Sequence, residues 1–233
     1  MKLATLADLN AERAARRPAI VVTDTASGEQ RLVKARDFAA DPLRTELANA
    51  LRTGKSGMVE VAGKKLFLNV HAPTARLVII GAVHISQALA PMAQSLGYDV
   101  TVVDPRTAFA SPERFPDVPL IAEWPDEALP PLNIDHYTAF VALTHDPKID
   151  DPALLHAFQR DCFYIGALGS RKTHGKRGER LKAQGAKESD IARIHAPIGL
   201  AIGAVSPSEI AVSIMAEITA ALRLPPKQQE AAA

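Results

Sequence analysis

The 233-residue sequence has little of several features that mark particular protein classes. Its single cysteine, Cys162, cannot form an internal disulfide, and one thiol cannot by itself build a multi-cysteine zinc or iron–sulfur site. Lys and Arg total 27 against 26 for Asp and Glu, so the basic excess typical of nucleic-acid binders is missing. These shortages argue against a disulfide-rich secreted protein and predict no nucleic-acid partner.

Long apolar stretches are also missing. No run approaches the roughly 18–20 residues that a membrane-spanning helix requires, so no membrane span is predicted. The first 17 residues are charged and lack the apolar centre of a secretory signal. A chain with one thiol is typical of a reducing compartment, and we therefore expect the cytoplasm.

Residues 1–73 predict a small α+β module. A charged helix is expected before Pro18, and the β-branched run Ala19–Thr23 predicts a strand. Leucines at four-residue spacing predict a helix over Pro42–Leu51. Met58–Val70 has the pattern of a hairpin that turns at a glycine.

Residues 74–225 predict a Rossmann-like domain. Leu77–Ile80 is a continuous apolar run, as in a strand buried on both faces, followed by a helix over His84–Leu96 and a strand over Asp99–Val103. Further strands and helices alternate after this βαβ unit: strands at 119–122, 139–143 and 162–165, and helices at 152–160, 171–184, 188–195 and 206–222. The fold class predicted is α/β, with a mostly parallel sheet and helices on both faces. Residues 226–233 are expected to form a disordered tail.

The turn that opens the βαβ unit is a modified dinucleotide fingerprint. In G-x-G-x-x-G/A the three positions make the tight turn, admit the pyrophosphate and pack the helix on the strand; here they are Gly81, Val83 and Ser86. Val83 places a β-branched side chain where the phosphate would lie. A turn that binds nothing is the alternative. The residues predicted here to bind a ligand are Gly81, Ala82, Val83, His84 and Ile85.

Asp104 closes the second strand at about the 20-residue offset where an acid binds the ribose hydroxyls. Such an acid favours NAD-like over NADP-like ligands, because it would repel a 2′-phosphate. The alternative is that Asp104 caps the following turn. Arg106 is predicted either to neutralise a phosphate or to be solvated.

Two further polar segments follow predicted strands at what should be the same edge of the sheet. Thr144, His145 and Asp146 can bind phosphate or transfer protons, and His145 is the candidate for proton transfer. A His/Asp metal site is a weaker alternative, and no metal is predicted. The second segment predicts an anion cradle, with a solvated turn as the alternative. Its candidate residues are Gly166, Gly169, Ser170, Arg171 and Lys172.

Four segments together resemble the XdhC/CoxI family of molybdenum-enzyme maturation factors. They are GAVHISQALAPMAQSLGYDVTVVDPR, ALTHDPKID, YIGALGSRKT and PIGLAIGAVSPSEIAVSIMAEI, within Arg76–Leu222. The resemblance implies a C-terminal Rossmann domain that helps to mature enzymes such as xanthine dehydrogenase or carbon monoxide dehydrogenase. The family's turn is usually G-A-G-H, from which Val83 departs. Residues 1–75 lack the family's usual cysteine, so the chain is similar to the short CoxF-type accessory proteins.

The predicted function is therefore that of an accessory protein which binds a dinucleotide-like ligand and assists cofactor assembly, sulfuration or insertion. NAD(H), FAD and molybdopterin cytosine dinucleotide share a ribose–diphosphate core, and the sequence does not choose among them. Expected partners are a molybdenum hydroxylase apo-enzyme or its maturation proteins, and a homodimer is left open. One alternative is an oxidoreductase that uses NADH or FAD to supply electrons during cluster maturation. Another is a non-catalytic assembly partner with a decayed nucleotide site.

Overall fold

The computed structural model describes residues 2–225, so the predicted disordered tail at 226–233 lies outside the described residues. The chain divides into two compact units, Met1–Pro73 and Thr74–Ala233.

The first unit is a four-stranded antiparallel sheet with two helices. The strand order is β2-β1-β4-β3. The strands are β1 (Ala19–Asp24), β2 (Gln30–Lys34), β3 (Gly57–Val61) and β4 (Lys64–His71). The helices are α1 (Leu3–Ala14) and α2 (Arg44–Thr53), with a 3-10 turn at Ala35–Ala40. Ile20 and Val22 of β1 pack on one face with Leu47 of α2, whereas Ala19 and Val21 pack on the other with Leu9 of α1. The predicted α+β module is confirmed.

The second unit contains six parallel strands in the order β10-β9-β8-β5-β6-β7. The strands are β5 (Arg76–Ile80), β6 (Asp99–Val103), β7 (Leu120–Ile121), β8 (Thr138–Ala142), β9 (Tyr164–Ala167) and β10 (Ile194–His195). The helices are α3 (His84–Ser95), α4 (Pro125–Ala128), α5 (Pro147–Phe158), α6 (Arg171–Ala183), α7 (Glu188–Ile191) and α8 (Pro207–Arg223), with a 3-10 turn at Pro130–Leu132. Read from β7, this is the doubly wound order 3-2-1-4-5-6 of Rossmann folds.

Helices cover both faces of this sheet. Because side chains alternate along a strand, Leu77 and Ile79 of β5 enter one hydrophobic cluster, and Val78 and Ile80 enter the other. Helices α3 and α8 cover the first cluster, and α4, α5, α6 and α7 cover the second. The predicted Rossmann-like fold is confirmed.

Two predicted boundaries were wrong. Helix α5 begins at Pro147 rather than Pro152, because Asp146 caps it by accepting a hydrogen bond from the Lys148 N–H and Pro147 takes the first helical position. The segment 188–195, predicted as one helix, ends its helix at Ile191 and forms strand β10 at Ile194–His195. A two-residue strand is too short to give a periodic signal, and only its pairing with β9 defines it.

Candidate functional site

The strand order places four loops together at one edge of the sheet. Strand β5 lies at the centre, with β6 on one side and β8 on the other, so the direction of winding reverses between β5 and β8. In open α/β sheets, ligands bind at this switch point, outside the carboxyl ends of the strands. The loops after β5, β6, β8 and β9 all begin at that edge, and the predicted site residues other than Gly166 lie in these loops or in the helix turns that follow them.

The turn after β5 is held tightly by its neighbours. Gly81 has φ 113°, and a Cβ there would lie 2.8 Å from Cγ2 and 3.2 Å from the backbone N of Thr144. Glycine is required by both the backbone conformation and the close approach of the next loop. Ser86 donates its hydroxyl to the Gly81 carbonyl, which ties the third fingerprint position back to the first.

Asp104 lies at the predicted position, but its carboxylate is already occupied. It is fully buried and accepts from the Ala82 N–H at 2.7 Å, from the Arg106 N–H at 3.0 Å, and from two nitrogens of the Arg106 guanidinium at 2.9 and 2.7 Å. Burial raises the pKa of Asp104, but the hydrogen bonds from Arg106 and Ala82 outweigh it and the pKa is lowered. The capping alternative is therefore part of the structure, and a ribose hydroxyl would have to displace Arg106.

Arg114, which sequence reasoning missed, also fixes this turn. Its Nη1 donates to the carbonyls of Ala82 at 2.9 Å and Phe109 at 2.8 Å, and its Nη2 donates to Gln87 at 2.9 Å. Arg114 lies in the irregular segment between β6 and β7, where no periodic pattern marks it.

The side chains that follow the turn point to different environments. Val83 is partly buried and packs against the hydrophobic cluster under α3, and Ile85 is buried in that cluster. His84 is exposed. Helix α3 has no side-chain cap, so its first N–H groups remain available to an anion.

The loop after β8 is organised by Asp150, which is buried on α5. Asp150 accepts from the Thr144 hydroxyl at 2.7 Å, the Thr144 N–H at 3.3 Å and the His145 N–H at 3.1 Å. Burial raises the pKa of Asp150, with partial opposition from the Thr144 hydroxyl. His145 is exposed and adopts φ 64°, a left-handed conformation that is uncommon outside glycine. The predicted proton-transfer residue therefore lies on a constrained, exposed turn.

The loop after β9 separates its predicted residues. Gly166 lies within β9, where a Cβ would be 2.8 Å from the Tyr164 ring, so it serves packing and does not face the edge. Ser170 caps α6 by accepting from the Thr173 N–H, and Arg171 and Lys172 are exposed in the first turn. Arg177, later in α6, was missed; its Nη2 donates to the Leu168 carbonyl at 2.7 Å from a fully buried position.

A buried polar network at strands β9 and β10 was also missed. Glu217 of α8 accepts from the Tyr164 hydroxyl and from the Gly199 N–H at 2.8 Å, and lies 3.0 Å from Nδ1 of His195. Burial raises the pKa of Glu217, but the His195 and Tyr164 hydrogen bonds lower it overall. The network joins β9, β10 and α8.

Cys162 is buried, and burial raises the pKa of its thiol to about 12. The thiolate needed for nucleophilic or persulfide chemistry is therefore disfavoured at neutral pH. Among residues 2–225, no group of three or more His, Cys, Asp or Glu side chains is arranged to hold a metal ion. In the same part of the chain, no helix has the length and apolarity to cross a bilayer.

Three curated proteins match about two thirds of the chain. The chain is 36% identical over 155 residues to the uncharacterized protein YqeB of Escherichia coli K12, covering 66% of this chain and 28% of YqeB. It is 32% identical over 154 residues to a probable xanthine dehydrogenase subunit of Bacillus subtilis 168, covering 66% and 44%. It is 33% identical over 152 residues to the molybdenum cofactor insertion chaperone PaoD of E. coli K12, covering 65% and 41%. The chain thus spans less than half the length of each of these relatives.

A solved structure and a family model complete the comparison. A crystal structure from Bacillus halodurans, described as that of a xanthine dehydrogenase, superposes with a TM-score of 0.69 and 24% identity, over 97% of this chain and 68% of that one, which supports the fold alone. The family model described as the XdhC Rossmann domain matches residues 77–218, more than half of the chain. The chain therefore belongs to the XdhC family, through its C-terminal Rossmann domain.

Proposed function

We propose that this chain is an accessory protein for a molybdenum hydroxylase and that its Rossmann domain binds a dinucleotide-type ligand. The observation that carries the proposal is the switch point between β5 and β8, with the uncapped start of α3 beside it. Two relatives support the choice of partner, since their names refer to xanthine dehydrogenase and to molybdenum cofactor insertion. A xanthine dehydrogenase or carbon monoxide dehydrogenase apo-enzyme, or one of its maturation proteins, would be the partner.

The residues at this edge fit the diphosphate of such a ligand better than they fit its ribose. The N–H groups of Val83, His84 and Ile85 open α3 and have no acceptor among the described residues, so they can receive phosphate oxygens. Asp104 can accept a ribose hydroxyl only if Arg106 turns away. Once displaced, Arg106 would be a cation at the same edge, able to neutralise a phosphate.

Thr144, His145 and Asp146 lie in the loop after β8, which begins at the same edge of the sheet. His145 is exposed on this loop, and we assign it the proton-transfer role toward a bound ligand. Asp150 holds the backbone of this loop through two N–H groups and so fixes where His145 stands. The ligand itself, NAD(H), FAD or molybdopterin cytosine dinucleotide, would supply the ribose–diphosphate core that all three share.

The test is calorimetric titration of the full chain with ADP, NADH, FAD and molybdopterin cytosine dinucleotide. Micromolar binding of the molybdopterin dinucleotide, tighter than that of ADP, supports cofactor handling. Tight NADH and FAD binding, with flavin absorbance in the purified protein, would instead support the oxidoreductase alternative. Absence of binding to all four would overturn the ligand-binding part of the proposal.

The Asp104 carboxylate already accepts hydrogen bonds from Ala82 and Arg106, which favours a second candidate, a non-catalytic assembly partner. Arg106 and Ala82 fill the acceptor positions that a ribose would use. This candidate predicts co-purification with the apo-hydroxylase without affinity for any dinucleotide. Pull-down with the purified apo-enzyme, with and without each ligand, separates it from the first.

A further inference from the structure

The turn after β9 lies against a buried positive charge whose donors are incompletely satisfied. Arg177 is 2% exposed, and only its Nη2 has an acceptor, the Leu168 carbonyl at 2.7 Å. Its Nε and Nη1 are buried without a hydrogen-bond partner among residues 2–225. A buried donor without an acceptor is costly, so its presence at a ligand-facing edge calls for an explanation.

Asp150 forms a long ion pair with Arg177 but accepts no hydrogen bond from its Nε or Nη1. Its Oδ2 lies 4.0 Å from Nη2 of Arg177, beyond hydrogen-bond distance, and its oxygens already accept from Thr144 and His145. The nearby Asp151 is paired with Arg180 at 2.7 Å. The Arg177 guanidinium therefore lies between the loops that follow β8 and β9, in a buried environment that lowers the pKa of Arg177 and raises the pKa of Asp150.

The first turn of α6 adds further unmatched positive character. Ser170 caps the Thr173 N–H, but the N–H groups of Arg171 and Lys172 have no acceptor within the described chain. The same two residues place exposed cations at the positive end of the helix dipole, and no acid lies in that turn. Cations at this helix end are unfavourable unless an anion joins them.

We propose that the turn Gly169–Lys172, with Arg177 beneath it, is a second oxyanion-binding subsite, separate from the turn after β5. The backbone and side chains of Arg171 and Lys172 would contact the anion. Arg177 would act as a buried charge under the turn, where a low dielectric strengthens its field. The ligand chemistry is a multiply charged oxyanion, either a phosphate or a metal oxyanion group.

This subsite deepens the proposed function and rests on it for the rest of the ligand. Strand β8 separates β5 from β9, so the two turns lie two strand spacings apart, about 10 Å. A ligand that fills both would carry a second anionic group at roughly that distance from its diphosphate. A dinucleotide with a neutral nicotinamide or flavin at its far end would not supply that group.

The test is calorimetric titration of the full chain with inorganic pyrophosphate and, separately, with molybdate. Arg177→Met should weaken binding of the preferred anion about tenfold, whereas Arg177→Lys, which keeps the charge, should stay close to the unchanged protein. The double variant Arg171→Ala/Lys172→Ala should weaken it at least tenfold. Lys176→Ala, which removes an exposed cation one turn further along α6, is the matched control and should change affinity less than twofold. Tighter binding of pyrophosphate would identify the ligand group as a phosphate, and tighter binding of molybdate would identify it as a metal oxyanion.

Circular dichroism first establishes that each variant folds. Should Arg177→Met fail to fold, the double variant at two exposed positions carries the test by itself. Equal affinities across all the variants, or absence of any oxyanion binding, would overturn the subsite. If ADP affinity is the same in the Arg171→Ala/Lys172→Ala variant and no oxyanion binds, the proposed function alone is supported. Oxyanion binding that depends on them, without binding of NADH, FAD or the molybdopterin dinucleotide, would support the subsite alone.

Discussion

The turns after β5 and β9 begin at the same edge of one sheet, yet they satisfy their polar groups in opposite ways. After β5, Asp104, Arg106 and Arg114 bind each other and the backbone, so the buried carboxylate and the Ala82 peptide group are paired. After β9, two buried nitrogens of Arg177 have no acceptor within residues 2–225, and two cations open α6. Both helices that follow these turns begin with open N–H groups, but only the turn after β9 also has buried side-chain nitrogens without an acceptor in the described chain.

The difference teaches that resemblance to a motif and readiness to bind are separate properties. A fingerprint specifies backbone shape, which Gly81 provides through its φ of 113°. Readiness depends on which donors remain after the chain has satisfied itself. Breaking the contacts of the first turn should therefore cost stability, and breaking those of the second should cost affinity.

The largest effect is expected for Gly81→Ala. The substitution combines a strained positive φ with a Cβ that meets Thr144, and we expect it to lower the free energy of unfolding by about 3 kcal/mol. Gly97→Ala is the matched control, because Gly97 also has a positive φ but no atom of residues 2–225 that could obstruct a Cβ lies within 4 Å of that position. Gly97→Ala should lower the free energy of unfolding by about 1–2 kcal/mol. Urea unfolding of both variants measures the two losses. Equal losses would show that Thr144 yields the space.

Asp104→Asn should remove about 2 kcal/mol of stability at pH 7, because Arg106 loses its charged partner while the shape is kept. The pKa of Asp104 is lowered in the folded protein, so its contribution is present above the ordinary aspartate value of about 3.9 and is lost as pH falls below it. Urea unfolding at pH 7, 5 and 3 should show the two proteins converging at the acid end. A gap that does not narrow toward pH 3 would contradict the assignment of this stability to the Asp104 charge.

Asp150→Asn, which affects the loop after β8, should show the opposite pH dependence of stability. The pKa of Asp150 is raised by burial, so the folded protein holds its proton more tightly and wild-type stability declines as pH rises above about 3.9. The stability of the wild type relative to Asp150→Asn should therefore fall as pH rises. The stability of the wild type relative to Asp104→Asn should instead rise with pH. Parallel pH profiles for the two variants would contradict the contrast between the loops.

Arg114→Met should cost about 1–2 kcal/mol and increase amide hydrogen exchange around the turn after β5, because the Ala82 and Phe109 carbonyls lose their donor. The control is Arg76→Met, since Arg76 donates to two carbonyls at Leu132 and Asn133, away from this turn. It should lower stability similarly without changing exchange near Ala82. Unchanged exchange in the Arg114 variant would remove Arg114 from the support of the turn.

The smallest effect is expected for Val83→Gly. Val83 packs against the cluster under α3, so the change should lower stability by about 1 kcal/mol and alter ADP affinity less than threefold. Val83→Thr keeps the β-branched shape and serves as the comparison in the same calorimetric titration. A tenfold gain in affinity for the glycine variant alone would mean that the valine side chain does exclude phosphate.

Local patterns made most of the fold predictable. The apolar run at Leu77–Ile80 and the periodic helix that follows gave the βαβ unit, because strand and helix periodicity are written in neighbouring residues. The start of α8 is equally local, since Ser206 and Glu209, three residues apart, form a capping box with both of its hydrogen bonds. Asp104 directly follows the predicted strand Asp99–Val103, so its position at the end of β6 could also be predicted.

The sequence by itself therefore determined most of the order of elements, the parallel sheet and which loops begin at the carboxyl edge of its strands. Only the tertiary structure decided which charges meet there. Arg114 reaches Ala82 across 32 positions, and Glu217 reaches Tyr164 across 53. The partial isolation of Arg177 depends on what the neighbouring loops leave unpaired. Hydrogen bonding and burial of side chains are set by packing between distant segments, which no periodicity or spacing in the chain encodes.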